Sequence, residues 1–125
     1  MKKVICTKKA PAAIGPYSQA IMSSDMLFIS GQIPVNPLNG TIESNDIKGQ
    51  TLQVFNNIKA ILEEADFCID NIVKTTVFLS DMSLFADMNE VYSSQFTGDF
   101  PARAAFAVKE LPKGSLVEIE AIAMK

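Results

Sequence analysis

The sequence predicts one α/β domain of the α+β type, a mixed six-stranded sheet with two helices on one face. Three observations predict it. The chain has 125 residues, the size of one domain, and 48% of them are apolar, enough for one buried core. Extended and helical segments follow in the order β, ββ, α, β, α, β, β, and helices between strands imply crossovers in a mixed sheet. Two helices cover only one face of such a sheet. The other face needs cover from elsewhere, and a neighbouring copy of the chain is the obvious source. A charged fraction of 20%, a little below the usual ~25%, points the same way.

Each element has a local reason. Val4-Ile5-Cys6 reads as a short strand, and Ala10–Tyr17, with Pro11, Gly15 and Pro16, as an ordered loop. Ser18–Met22 and Met26–Ser30 read as a hairpin around Ser23-Ser24-Asp25. Gly31–Gly40 reads as a loop with a tight turn at Asn39-Gly40. Asp46–Ala65 is the strongest helix. Phe55, Ile58, Ile61, Leu62 and Ala65 recur at three- and four-residue spacing, with polar Gln53, Asn57 and Lys59 assigned to other faces, and Ser44 to Asp46 can cap it. Ile72–Leu79 is rich in β-branched residues and reads as a central strand. Asp81 caps a second helix over Met82–Gln95, with Phe85, Met88, Val91 and Tyr92 as its apolar stripe. Thr97–Ala102 is a loop, Ala104–Lys109 a strand, Leu111–Ser115 a turn and Leu116–Met124 the last strand.

Composition excludes several function classes. The net charge is −3 and no basic stripe is present, so the phosphate-neutralising patch of a nucleic-acid binder is missing. There is no histidine, which removes Ser-His-Asp and Cys-His catalysis and most transition-metal sites. Neither GxGxxG nor GxxxxGK[ST] occurs. Cys6 and Cys68 form no disulfide framework and, without histidine, no zinc site, so two reduced thiols in a cytoplasmic protein are expected. The first residues do not resemble a secretory leader, and no apolar run is long enough to span a membrane.

Chemistry is expected around Arg103, the only arginine beside ten lysines. It follows Phe100-Pro101-Ala102 at the mouth of a strand. Its planar fork of donors matches a carboxylate in a bidentate way, which no lysine does. The last strand offers Glu118 and Glu120 on one face, with Val117, Ile119, Ala121 and Ala123 on the core face. A carboxylate in a cleft can orient water or move a proton. Tyr17, Ser18, Ser30, Gly31, Gln32 and Asn89 offer further hydroxyls, amides and backbone donors. Phe85 and Met88 read more readily as core than as pocket.

Five segments, in order and spanning nearly the whole chain, resemble one family. They are Ala10–Ala20 (APAAIGPYSQA), Ile29–Pro34 (ISGQIP), Lys74–Leu79 with Asp81, Pro101–Ala105 (PARAA) and Glu118–Ala123 (EIEAIA). The family is that of the reactive-intermediate deaminases, RidA/YjgF. The resemblance implies a chorismate-mutase-like fold, three subunits packing their sheets into a central barrel, and clefts between subunits. It implies hydrolysis of 2-aminoacrylate, 2-iminobutanoate and related imines to 2-keto acids and ammonia, with no cofactor and no metal. Arg103 would then hold the substrate carboxylate and Glu118 would activate water, with Glu120 ranked lower. Tyr17, Ser30, Gly31 and Asn89 would line the pocket and Phe85 would wall it. Many members carry cysteine two residues after the arginine. Here that residue is Ala105, which removes any covalent or redox role there. The competing readings are a non-catalytic regulator that binds small carboxylates, and a ribonuclease or translation inhibitor.

Overall fold

The computed structural model describes residues 1–125. Its strands are β1 (Lys2–Ile5), β2 (Ala20–Ser23), β3 (Met26–Gln32), β4 (Ile72–Leu79), β5 (Ala102–Ala107) and β6 (Val117–Met124), and its helices are α1 (Ile47–Glu64) and α2 (Phe85–Ser94). The six strands form one sheet in the order β1-β2-β3-β6-β4-β5. Only β4 and β5 run parallel, joined across α2, and every other pair is antiparallel. The expected mixed six-stranded sheet with two helices is therefore present.

The helices pack on one face. Val54, Phe55, Ile58, Ile61 and Leu62 of α1 are fully buried against Leu27, Val77, Leu79, Val117, Ile119 and Ala123 of the sheet. Burial of each such side chain is worth about 1.5–3 kcal/mol. The alternation along β6 is clean, with Val117, Ile119, Ala121 and Ala123 buried as expected. Asp46 caps α1, its carboxylate accepting from Gly49 N at 2.7 Å, and Asp81 accepts from Ser83 N at 2.8 Å before α2. The opposite face of the sheet has no helix. Phe28 and Phe106 stand 41% and 45% exposed on it, and Phe78 meets Phe106 edge-on at 5.4 Å.

Several expected boundaries shift, each for a pairing reason. β1 ends at Ile5, where its partner β2 begins at Ala20, so Cys6 lies outside the sheet. β3 runs on through Gly31 to Gln32, because a register shift between Ile29 and Gln32 lets it continue along β6. Gly31 is thus a strand residue, not the first residue of a loop. β5 starts at Ala102 rather than Ala104, since parallel pairing with β4 begins at Lys74 opposite Ala102. Arg103 therefore lies inside a strand. Asn57, expected on an outer face of α1, is 0% exposed. It donates to the carbonyls of Ile33 and Val35 at 3.2 and 3.0 Å and accepts from Gln53 at 2.9 Å, which offsets the cost of burying an amide.

Candidate functional site

The sequence-predicted residues gather in two groups. The first lies in a cleft of about 440 Å³ lined by Tyr17, Ser30, Gly31, Ile33, Pro112, Glu118 and Glu120. The irregularity in β3 brings Ser30 and Gly31 there. The Ser30 hydroxyl donates to the Ser18 carbonyl at 2.6 Å, and its amide donates to the Gln19 carbonyl at 3.0 Å. Ser18 thus serves as a backbone anchor. The Glu118 carboxylate lies close against Gly31: a Cβ there would stand 3.0 Å from its Cδ, and the glutamate side chain would have to shift to admit one. Tyr17 stands 52% exposed at the edge of the cleft.

Glu118 is half-buried. Burial pushes its carboxyl above the usual carboxylate range, and the charge of Glu120 pushes it further in the same direction. A carboxylate held above its ordinary range is, when ionised, a better proton acceptor than a fully solvated one, which suits Glu118 to base work. Glu120 is exposed and also borders a hollow on the open sheet face with Phe28, Lys74 and Thr76.

The second group surrounds Arg103. Its Nη1 donates to Asn89 Oδ1 at 2.7 Å. Its Cζ lies 4.7 Å from the centroid of the Tyr92 ring and 5.3 Å from that of Phe85. Phe85, Asn89 and Tyr92 follow at i, i+4 and i+7, so one face of α2 supplies all three. Tyr92 is buried, shares a 2.7 Å hydrogen bond with the Thr75 hydroxyl, and Thr75 pairs with Arg103 across β4 and β5. Burial pushes the Tyr92 hydroxyl up, against smaller opposing effects of Thr75 and of the Arg103 charge. The one ion pair in the chain, Lys48 with Glu90 at 2.9 Å, is on the surface. Arg103 thus has no carboxylate partner, and most of its fork is free to take one.

The chain brings Tyr17, Ser30, Gly31 and Glu118 together, and separately Phe85, Asn89 and Arg103. It does not bring the two groups to each other. Arg103 pairs with Thr75 on the helix side, whereas Glu118 and Glu120 pair with Phe78 and Thr76 on the open side. Of the weaker candidates, Gln32 is buried and donates to the Ser30 carbonyl at 3.1 Å, and Met88 is core. Sequence reasoning missed Tyr92 as the platform under the guanidinium, although its spacing from Asn89 and Phe85 was visible. Pro112 carried no signal and Ile33 only as part of the Ile29–Pro34 segment, because loop and turn residues acquire a role only through what they face.

A half-buried carboxylate in a cleft and, apart from it, a stacked guanidinium without a carboxylate partner mark an α+β domain fitted to small polar ligands. Comparison with known proteins narrows the class. The family model described as Endoribonuclease L-PSP matches residues 7–125. A RutC family protein of Pyrococcus horikoshii is 56% identical over 125 residues, covering 100% of this chain and 99% of that protein. A putative regulator AldR of Lactococcus lactis is 51% identical over 121 residues, covering 97% and 96%. The 2-iminobutanoate/2-iminopropanoate deaminase of Mus musculus is 47% identical over 125 residues, covering 100% and 93%. The crystal structure of the Rid-family protein YyfA from Yersinia pestis superposes with a TM-score of 0.97 at 51% identity, covering 100% of both chains. That of E. coli TdcF with bound serine superposes at 0.95 with 43% identity, covering 98% of both. The chain belongs to the RidA/YjgF family.

Proposed function

We propose that this protein hydrolyses 2-imino acids, the tautomers of 2-enamino acids, to 2-keto acids and ammonia. The single observation that carries the reading is the unpaired Arg103 fork, oriented by Asn89 and stacked on Tyr92 and Phe85. A substrate carboxylate completes it with two charge-assisted hydrogen bonds. Such a substrate is already electrophilic at its imine carbon, so positioning and one activated water suffice, without a cofactor.

The steps balance. An enamine first gains a proton at its terminal carbon and loses one from its nitrogen, and so becomes the imine. Glu118, ionised, takes a proton from water as the oxygen bonds to the imine carbon and the C=N π pair moves to nitrogen. The nitrogen receives that proton to give the carbinolamine; the hydroxyl proton then passes through Glu118 to the nitrogen as the C=O bond forms, the C–N bond breaks and ammonia leaves. No electrons are exchanged with a redox partner. Tyr17, Ser30 and the Gly31 backbone shape the cleft around the reacting centre.

Arg103 and Glu118 face opposite sides of the sheet, so a working site takes Arg103 from one copy and Glu118 from another. A closed homotrimer satisfies this and also covers the open sheet face that carries Phe28 and Phe106. The name of the mouse relative agrees with the reaction. The test couples a threonine dehydratase, which releases the enamine, to this protein and follows 2-ketobutyrate. Acceleration by the wild type and its loss in Arg103→Ala are expected, and no acceleration over spontaneous hydrolysis would sink the reading. A regulator that binds carboxylates without turnover, as the Lactococcus relative's name suggests, would instead give saturable binding in calorimetry and no product.

A further inference from the structure

The Asn39-Gly40 turn carries a chemistry that the hydrolysis does not use. Asn39 is the one asparagine of the chain that a glycine follows. In an open chain the backbone nitrogen after an asparagine can attack the side-chain amide carbon and close a five-membered ring. Glycine favours that closure most, since it has no side chain to hinder the nitrogen and its backbone is the most permissive. The turn lies between β3 and α1, and Asn39, Gly40 and Thr41 are all exposed.

Burial gives this turn no protection, but its hydrogen bonds do. The Gly40 nitrogen, which would attack, donates to the Asn36 carbonyl at 2.8 Å. The Asn39 side-chain nitrogen, which would leave, donates to one Glu43 oxygen at 2.9 Å, and the Asn36 side-chain nitrogen donates to the other at 2.7 Å. The Asn39 side-chain oxygen accepts from the Thr41 amide at 3.0 Å and from the Thr41 hydroxyl at 2.8 Å. Those two donors draw electrons from the amide carbon, as oxyanion-hole donors do, and make it a better electrophile. The electrophile is therefore activated while the nucleophile is engaged elsewhere. Glu43 ties the arrangement together, because one carboxylate holds the leaving amide and also Asn36, whose carbonyl holds Gly40. The bonds from Asn36 and Asn39 keep the Glu43 carboxyl below the usual carboxylate range. It is thus ionised at neutral and alkaline pH, where its hydrogen bonds are the stronger, charge-assisted kind.

We propose that Asn39 is a deamidation site that Glu43 keeps latent, and that opening of the turn controls its rate. Local opening of this kind exposes a segment without unfolding the domain. Hydroxide takes the Gly40 N–H proton, the nitrogen bonds to Asn39 Cγ, the Cγ–Nδ2 bond breaks, and ammonia leaves with a proton from water. Water then opens the cyclic imide at either carbonyl and yields aspartate or isoaspartate at position 39. No electrons are exchanged with a redox partner. Either product replaces the donating amide by a carboxylate, which the Glu43 charge repels, so the clamp does not re-form. Isoaspartate also lengthens the main chain by one carbon inside the bridge that pairs Asn36 with Thr41.

The experiment incubates the full-length protein at mildly alkaline pH, well below its melting temperature, and follows position 39 by peptide mapping and mass spectrometry. It compares the folded wild type, the wild type unfolded in guanidinium chloride, Glu43→Gln and Glu43→Ala. Asn39 is expected to convert in the unfolded chain and to persist in the folded one. Glu43→Ala removes both charge-assisted bonds and is expected to convert about tenfold or more faster than the folded wild type. Glu43→Gln keeps an acceptor for one of the two asparagines, so its rate is expected to lie between. A folded wild type that converts as fast as the unfolded chain overturns the clamp. A Glu43→Ala rate equal to that of the folded wild type overturns the role of Glu43. No conversion in the unfolded chain overturns the site itself. The other asparagines serve as an internal reference, and a rise in Glu43→Ala shared by all of them reports general unfolding and overturns the proposal as well.

Discussion

Consider two variants, Arg103→Ala and Glu118→Gln, made separately and then assembled together. Each alone is expected to be nearly inactive. Arg103→Ala loses two hydrogen bonds to a charged group, each worth about 1.5–3 kcal/mol, or roughly a hundredfold or more in kcat/KM combined. Glu118→Gln loses the base. In each chain the sheet lies between the two side chains, as the pairing of Arg103 with Thr75 and of Glu118 with Phe78 requires. A site that uses both must draw them from different copies. When equal amounts of the variants are denatured and refolded together, the copy that supplies the arginine is intact there half the time. So is the copy that supplies the glutamate. About a quarter of the sites then carry both native residues, whatever the number of copies in the closed ring. The expected result is recovery of about a quarter of the wild-type rate of 2-keto acid release, with light scattering confirming that the assemblies match the wild type in mass. If both residues served a site within one chain, every site would carry a lesion and refolding would recover nothing. That outcome, with correct assembly, would refute the reasoning.

Four further outcomes follow from the geometry. Glu118 is held above the usual carboxylate range by burial and by the Glu120 charge, so kcat/KM should fall on the acid side as Glu118 is protonated, and Glu120→Gln should move that limb to lower pH. The folded state holds this proton more tightly than the unfolded chain does, so the ionised group detracts from stability above its folded pKa. Glu118→Gln should therefore raise the melting temperature at neutral pH. Asn57→Ala leaves the Ile33 and Val35 carbonyls without their donor and should cost about 2–4 kcal/mol in urea unfolding; a loss near zero would show that water replaces the amide. Tyr92→Phe breaks the bond to Thr75 but keeps a ring under Arg103. It should cost about 1 kcal/mol of stability with little change in KM, whereas Tyr92→Leu, which removes the ring, should raise KM severalfold.

Most of the fold was legible because it rests on short-range pattern. The stripe through Phe55, Ile58 and Leu62 and the alternation from Val117 to Ala123 identify the core faces without reference to any partner. Arg103 and, less sharply, Glu118 stand out as candidates from residue type and position, whereas Tyr17 and Gly31 are weak signals alone and enter the candidate site only through the family resemblance. Asn57 was not legible, because the carbonyls that justify its burial lie 22 and 24 residues away in sequence. Nor was the direction in which Arg103 points. Along β6, parity with the buried residues assigns Glu118 and Glu120 to the open face. Along β5 no such guide exists, since Ala102 to Ala107 is mostly small and partly exposed. The side of the sheet that receives the guanidinium is set only by register, with Thr75 opposite Arg103. A slip of one residue would reverse every side chain of β5 and turn the guanidinium to the face that carries the glutamates. It would also remove it from Asn89 and from the Tyr92 ring, the contacts that orient its fork. The packing of β5 on α2 that orients the guanidinium is therefore the same packing that keeps it from the Glu118 of its own chain.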